Sequence, residues 1–287
     1  MTKDLNRRWP APAKLNLFLH IIGQRVDGYH ELQTLFQLLD WGDELSIEPL
    51  DKTRISRPRA DYPVAEADDL AVRAARLLQA ETSCRLGARI EVHKRIPAGA
   101  GLGGASSDAA TVLVALNQLW NCGLTIDELA LIGVQLGADV PVFVRGQSAL
   151  GAGVGEDLEA VSLGERHYLL LFPGILISTT EIFSDPALPR NSPRISLSQA
   201  LSNEGRNDCE RVVKKRYPAI ARALGCLEEW GRSRMTGTGS TLFVAMADKK
   251  SAISAAKELK CRYNVRAVSG VDQSPLHVML GSDDADS

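Results

Sequence analysis

Pro97-Ala-Gly-Ala-Gly-Leu-Gly-Gly-Ala-Ser-Ser-Asp-Ala-Ala110 places four glycines, Gly99, Gly101, Gly103 and Gly104, within six residues and follows them with two serines. Upstream, Ala88, Ile90 and Val92 alternate with Arg89, Glu91 and His93, the period of a half-buried strand. Downstream, Ala109, Val112, Leu113 and Leu116 recur at helical spacing, and Leu119 and Trp120 extend that face. The order is therefore strand, glycine loop, helix. Glycines admit positive φ and let the backbone approach a ligand closely. The first turn of a helix carries unpaired N–H groups and the positive end of the dipole. Together they form an anion site, above all for phosphate. Hydrogen bonds to a charged group contribute roughly 1.5–3 kcal/mol each, so a few of them hold a triphosphate.

Context narrows the kind of phosphate site. Gly99-Ala-Gly101-Leu-Gly103-Gly104 matches G-x-G-x-x-G, but a dinucleotide fold needs an acidic residue about 20 residues on, after a second strand. Here the next element is another helix, opened by the capping box Thr125-Ile-Asp-Glu128 and continued by Leu129, Ile132 and Leu136. A P-loop needs a lysine after its glycines, and none follows. A plain structural turn before a helix is the remaining local alternative. Four glycines followed by two serines weigh against it.

The Pro-x-x-x-Gly-Leu-Gly-Gly-x-Ser-Ser pattern resembles the phosphate loop of the GHMP kinases, the superfamily of galactokinase and the homoserine, mevalonate and phosphomevalonate kinases. Pro12-Ala-Lys14-Leu-Asn16-Leu and Thr236-Gly-Thr-Gly239-Ser240 look like its other two motifs, in the expected order. Lys14-Leu-Asn-Leu-Phe-Leu-His20, Gly23-Gln-Arg-Val-Asp-Gly-Tyr-His30 and Leu136-Gly-Ala-Asp-Val-Pro-Val-Phe143 are similar to its members that act on 4-diphosphocytidyl-2-C-methyl-D-erythritol. Recognisable blocks run from Trp9 to Leu280. The resemblance implies an α+β, two-domain GHMP kinase fold. An N-terminal ATP-binding domain of ribosomal-protein-S5-domain-2-like type (1–157) precedes a C-terminal, ferredoxin-like, substrate-binding α/β domain (158–287). The implied reaction is transfer of the ATP γ-phosphate to the 2-hydroxyl of that cytidyl alcohol, in the non-mevalonate isoprenoid pathway. ATP with Mg²⁺ is the implied cofactor set. No acidic pair declares a metal site, so no protein ligand is assigned.

Bulk properties agree with a metabolic enzyme. The chain has 287 residues, a length prior for two domains, and 45% hydrophobic residues, enough for a sizeable core. A formal charge of −2 provides no basic field for nucleic acid, and no polybasic patch for a membrane surface. Five scattered cysteines without a CxxC or Cys/His cluster read as reduced thiols in a cytoplasmic protein without structural zinc. The N-terminus lacks an apolar signal region and no run approaches a membrane span. A monomer or weak homodimer is expected.

In chain order, Pro10 to Ile22 reads as a strand with Leu15, Leu17, Leu19 and Ile21 on one face and Lys14, Asn16, Phe18 and His20 on the other. Lys14 and Asn16 then lie roughly 7 Å apart along the strand. A solvated polar face is the local reading; the resemblance makes Lys14 catalytic and Asn16 substrate-binding. Asp27-Gly28 signals a hairpin. Tyr29 and His30 follow it, and a pyrimidine binds between aromatic faces with its polar edge read by hydrogen bonds. By resemblance Tyr29 stacks on the cytosine, His30 reads its edge and Phe183 clamps it from the other side. The residues alone favour a partly buried hairpin tyrosine, a surface histidine and a core phenylalanine.

Leu32–Leu39 and Glu44–Glu48 read as two strands around Trp41-Gly42-Asp43, and 51–64 as a loop. Asp68 is the expected N-cap of a helix through Leu70, Ala74, Leu77 and Leu78. Related chains usually carry asparagine where this one has Asp69, beside the adenine pocket. Asp139 reads locally as a turn carboxylate before a strand. By resemblance it is catalytic, either taking the hydroxyl proton or positioning Lys14 and the metal. The nucleotide falls on Pro97, Ala98, Gly99, Ala100, Gly101, Leu102, Gly103, Gly104, Ala105, Ser106 and Ser107. A domain boundary is expected near Gly151–Gly164, a buried strand at Tyr168–Phe172 and a loop over 185–194. Helices are expected from Ser198 to Glu229 and over Ser251–Lys260, strands over Thr241–Ala247, Val265–Ser269 and Leu276–Leu280, and a disordered acidic tail from Gly281. Two rival readings are a same-fold kinase of homoserine or mevalonate type, and a non-catalytic metabolite-binding relative.

Overall fold

A computed structural model of the chain describes residues 7–58, 62–202 and 204–285. The N-terminal half contains β1 (Arg8–Gln24), β2 (His30–Leu50), β3 (Ile55–Ser56), α1 (Leu70–Thr82), β4 (Gly87–His93), α2 (Gly104–Leu119), α3 (Ile126–Val134), α4 (Val140–Arg145), β5 (Ala149–Gly153) and β6 (Asp157–Ala160). The rest contains β7 (Arg166–Phe172), α5 (Thr179–Phe183), α6 (Leu197–Leu201), α7 (Asp208–Arg216), α8 (Pro218–Leu227), β8 (Ser233–Met235), β9 (Leu242–Met246), α9 (Lys249–Leu259), β10 (Asn264–Val271) and α10 (Pro275–Ala285). All ten strands join one sheet, antiparallel except for the β3–β4 pair.

β1 and β2 form a hairpin paired from Arg8 opposite Ser46 to Gln24 opposite His30. β1 covers one edge of β2. The other edge is shared in succession by β5, β10 and β4. β2 runs unbroken where two strands are expected, because Gly42 lets β1 pass close: a Cβ there would lie 2.0 Å from the Ala11 carbonyl oxygen. β1 departs from the expected alternation as well. A register shift between Asn16 and Leu19 turns the strand, so Leu15, Leu17 and Phe18 pack in one core cluster and Leu19 and Ile21 in another. Lys14, Asn16 and His20 are all buried, so no solvated polar face exists.

Three further expectations are corrected. The N-cap of α1 is Asp69, whose side chain accepts from the Ala71 N–H, and not Asp68. The segment after Asp139 is a short helix, α4, with Pro141 in its first turn and Gly146 as a left-handed C-cap. Residues 276–280 are helical because Ser274 accepts from the Leu276 N–H and Pro275 supplies a first-turn proline. That helix carries the expected disordered tail as far as Ala285, and 286–287 lie outside the described residues. Part of the expected 51–64 loop, 59–61, also lies outside them. The Thr125–Glu128 capping box is present as expected.

A buried charge cluster fixes the approach to the glycine loop. Asp43 Oδ1 accepts from the N–H groups of Arg95 and, at 2.8 Å, Ile96. Its Oδ2 takes Lys94 Nζ, which also donates to Asp108 Oδ2 at 2.9 Å. β2, the run into the loop and α2 are thus tied through three side chains. One cation between two buried carboxylates leaves excess negative charge, and Asp108 Oδ1 has no partner. Burial pushes the Asp108 carboxyl up to about 7, against the pull of Lys94 and with reinforcement from Asp43. Because the folded value lies above the ordinary carboxylate value, the folded state holds the extra proton between them, and stability falls as pH rises through that window. Thermal and urea unfolding at pH 5 and pH 8 test this: Asp108→Asn should lose roughly 2–3 kcal/mol less across the interval than the parent. Equal losses would contradict the assignment.

Candidate active site

A cleft of about 1270 Å³ takes in the glycine loop, the start of α2, the β1–β2 turn and α5. Lys14, Asn16, Tyr29, His30, Asp139 and Phe183 all line it, together with Pro97 to Ser106. Ser107 does not: it is fully buried, and its hydroxyl has no partner.

The glycine loop reverses backbone hand at alternate residues. Gly99, Gly101 and Gly103 have φ of 64°, 74° and 73°. Such alternation aims successive N–H groups into one concavity, an anion-binding nest. The loop carbonyls turn inward instead. Ala100 O accepts from the Thr241 N–H, Leu102 O from the Lys14 N–H, and Gly101 O from Lys14 Nζ and Thr236 Oγ1. Gly103 is the N-cap of α2, so the unpaired N–H groups of that helix continue the same concavity. Closeness also requires glycine here: a Cβ on Gly101 would lie 2.5 Å from the Thr236 carbonyl oxygen.

Lys14 is 3% exposed, yet its ammonium meets three acceptors. Nζ lies 2.6 Å from Asn16 Oδ1, 3.2 Å from Gly101 O and 3.2 Å from Asp139 Oδ2. The regular register from Lys14 to Asn16 puts the two side chains on one side of β1, and Asn16 is fixed in turn, with Nδ2 donating to Thr34 Oγ1 at 2.9 Å. The Asn16 N–H donates to Thr236 Oγ1 at 2.9 Å, which ties β1 to the second glycine cluster. Asp139 stands at the N-terminus of α4 without a capping bond of its own and keeps about a third of its side chain exposed to the cleft.

At the far end of the cleft, the His30 and Phe183 rings lie 5.1 Å apart, tilted by 33°. Tyr29 is 64% exposed at the rim, and no ring contact joins it to Phe183 among the described residues. Burial, and then the charge of Arg190, lower the His30 pKa and leave the imidazole neutral near pH 7. Beside the loop, Asp69 is spent within the protein: besides its cap, it takes the Tyr62 hydroxyl at 2.5 Å and pairs with Arg57 at 2.9 Å. Sequence reasoning missed Thr34, Arg190 and the Asp43–Lys94–Asp108 cluster. None had a local signal: Thr34 sits beside Gln33 and three residues before Gln37, in a strand where polar and apolar positions mix. Among the described residues no group of three or more His, Cys, Asp or Glu is placed to hold a metal ion, and no helix is long and apolar enough to cross a membrane.

Known proteins place this architecture. The family model described as "GHMP kinases N terminal domain" matches residues 69–147, and "GHMP kinases C terminal" matches 187–265. A 4-diphosphocytidyl-2-C-methyl-D-erythritol kinase of Shewanella pealeana is 49% identical over 281 residues, covering 98% of this chain and 99% of that one. The enzyme of that name from Halorhodospira halophila is 51% identical over 275 residues, covering 95% and 96%. A crystal structure of 4-(cytidine 5'-diphospho)-2C-methyl-D-erythritol kinase superposes with a TM-score of 0.80 at 32% identity, over 92% of this chain and 99% of that one. The Methanococcus jannaschii mevalonate kinase shares the fold alone, with a TM-score of 0.68 at 14% identity over 92% and 98%. By descent and by architecture, this chain belongs to the 4-diphosphocytidyl-2-C-methyl-D-erythritol kinase family of the GHMP kinases.

Proposed function

We propose that this chain transfers the γ-phosphate of ATP to the 2-hydroxyl of 4-diphosphocytidyl-2-C-methyl-D-erythritol, on the non-mevalonate route to isopentenyl diphosphate. One observation carries the proposal: a single cleft joins a glycine nest, a Lys14–Asp139 pair and a niche of two rings. The nucleotide phosphates lie on residues 97–106. The cytidyl group occupies the niche of Tyr29, His30 and Phe183. A homoserine- or mevalonate-sized alcohol would leave that niche empty. The two family matches fall on either side of residue 157, which supports dividing the chain there. Five free cysteines support a reducing, cytoplasmic setting.

Phosphoryl transfer asks the protein for position and for stabilised charge, with little covalent chemistry. Lys14, a point charge held by three acceptors, stabilises negative charge on the transferring group and orients the hydroxyl. Asp139 Oδ2, 3.2 Å from that ammonium, takes the hydroxyl proton. A Mg²⁺ ion arriving with the nucleotide fits the donors present, since one carboxylate plus phosphates and waters suffices. Asp139 and the Ser106 hydroxyl, which both line the cleft, would hold it, and it would neutralise phosphate charge.

Two variants separate binding from chemistry. Asn16 and Gly101 still hold Lys14 in Asp139→Asn, so the lost carboxylate is read without releasing the lysine. In a coupled ADP-release assay with the cytidyl acceptor, turnover should fall by roughly 10²–10⁴, with ATP binding retained. Near-normal turnover would remove Asp139 from the chemistry, and ADP release that ignores the acceptor would remove the kinase assignment. Gly103→Ala places a Cβ 2.8 Å from the Phe143 ring and 3.1 Å from Lys14 Cε, at positive φ. Its ATP affinity should drop by roughly tenfold or more, a loss on the scale of one or two charged hydrogen bonds, measured by calorimetry. Unchanged affinity would argue against the nest.

A further inference from the structure

Arg190 lies in the loop after α5 and takes no part in the transfer chemistry above. Its guanidinium is fastened at the wall of the niche. Nη1 donates to Leu188 O at 3.1 Å, and Nη2 donates to Phe183 O at 3.0 Å and Asp185 O at 3.1 Å. Nε donates to His30 Nε2 at 3.1 Å. Three carbonyls thus fix the direction of the fourth bond. They also tie the backbone of Phe183 to the ring of His30, the two walls of one niche.

A guanidinium has donors only and stays protonated. The imidazole nitrogen that faces it must therefore accept. A neutral imidazole has one proton, so that proton resides on Nδ1. Among the described residues no hydrogen bond to protein is made by His30 Nδ1, and His30 lines the cleft. The niche therefore presents a donor with nothing in the protein to receive it.

We propose that Arg190 sets the base specificity of this site, by locking His30 as the Nδ1–H tautomer so that the niche accepts a pyrimidine edge with a bare acceptor nitrogen. The proposal rests on the assignment of the base to Tyr29, His30 and Phe183. Cytosine meets the requirement, because its N3 is an unprotonated acceptor beside the O2 carbonyl. Uracil carries a hydrogen on N3, so two donors face each other and both lose their partners. Arg190 is a positioning residue: it acts on the base through His30.

The test combines a tautomer readout with a base-swap in the acceptor. In ¹⁵N-histidine-labelled protein, with the His30 signal assigned by its loss in His30→Gln, two-bond ¹⁵N–¹H correlations distinguish the tautomers. The parent should show Nδ1 protonated and Nε2 bare. Arg190→Met should shift His30 toward the Nε2–H form, and Arg190→Lys, which keeps a donor, should restore Nδ1–H at least in part. With the cytidyl acceptor and its uridyl analogue, the ratio of kcat/KM should favour the cytidyl form by roughly 10- to 100-fold in the parent, the cost of two unpaired donors. In Arg190→Met the ratio should shrink by about tenfold, through KM for the acceptor and not through KM for ATP.

An Nε2–H signature in the parent overturns the proposal whatever the variants do. So does an Arg190→Met protein whose tautomer or base ratio equals that of the parent. The underlying niche assignment has its own control, His30→Ala. If His30→Ala leaves the base ratio at its parental value, the niche itself is misassigned. If the ratio depends on His30 but not on Arg190, only the role given to Arg190 fails.

Discussion

The site depends on one buried ammonium. Removing a charge from water costs several kcal/mol unless acceptors replace the lost hydration. Lys14 Nζ finds three acceptors, and each comes from a different part of the chain: Asn16 on its own strand, the Gly101 carbonyl in the loop and Asp139 at the start of α4. The lysine therefore joins β1, the glycine loop and α4 at one point. Moving any of the three away weakens that compensation, which opposes drift of these elements apart. The same arrangement leaves the charge beside the nest, where the proposed phosphate would complete the compensation.

The glycine loop obeys a second constraint that follows from the first. To lend a carbonyl to Lys14 and keep its N–H groups for a ligand, the backbone must reverse hand at alternate residues. Only glycine does so without strain at φ near 70°. The loop must also pass close enough to the 236–239 turn for Gly101 O to meet Thr236 Oγ1 at 3.3 Å. Gly101 is consequently required twice, by dihedral angle and by clearance.

What the sequence revealed follows the range of the interactions. The glycine loop, its strand and its helix are local patterns, and they stand where the spacing puts them. The capping box at Thr125 is equally local. The β1 alternation fails at a bulge, because two buried faces make every position apolar or paired and erase the period that would mark the slip. The valine-rich run after Asp139 has strand propensity, and packing against α2 and α3 overrides it. Ser274-Pro275 is a readable helix start that the apolar run after it obscured. The Asp43–Lys94–Asp108 cluster spans 51 and 14 residues between partners, so no window could contain it.

Arg190 illustrates the limit most sharply. It lies between prolines in a segment without period, and its decisive partner is 160 residues away. Kinases of quite different alcohols share this fold, so the fold does not choose the acceptor. The nest and the lysine lie at one end of the cleft and have the chemistry to hold a phosphoryl group. The proposed niche for the acceptor lies at the other end, between the β1–β2 turn and the loop after α5. These are the two segments that Arg190 holds together. A selective surface built from two loops needs a cross-brace with fixed geometry, and a guanidinium anchored on three carbonyls supplies one while its fourth donor decides which nitrogen of a histidine is free to read a base.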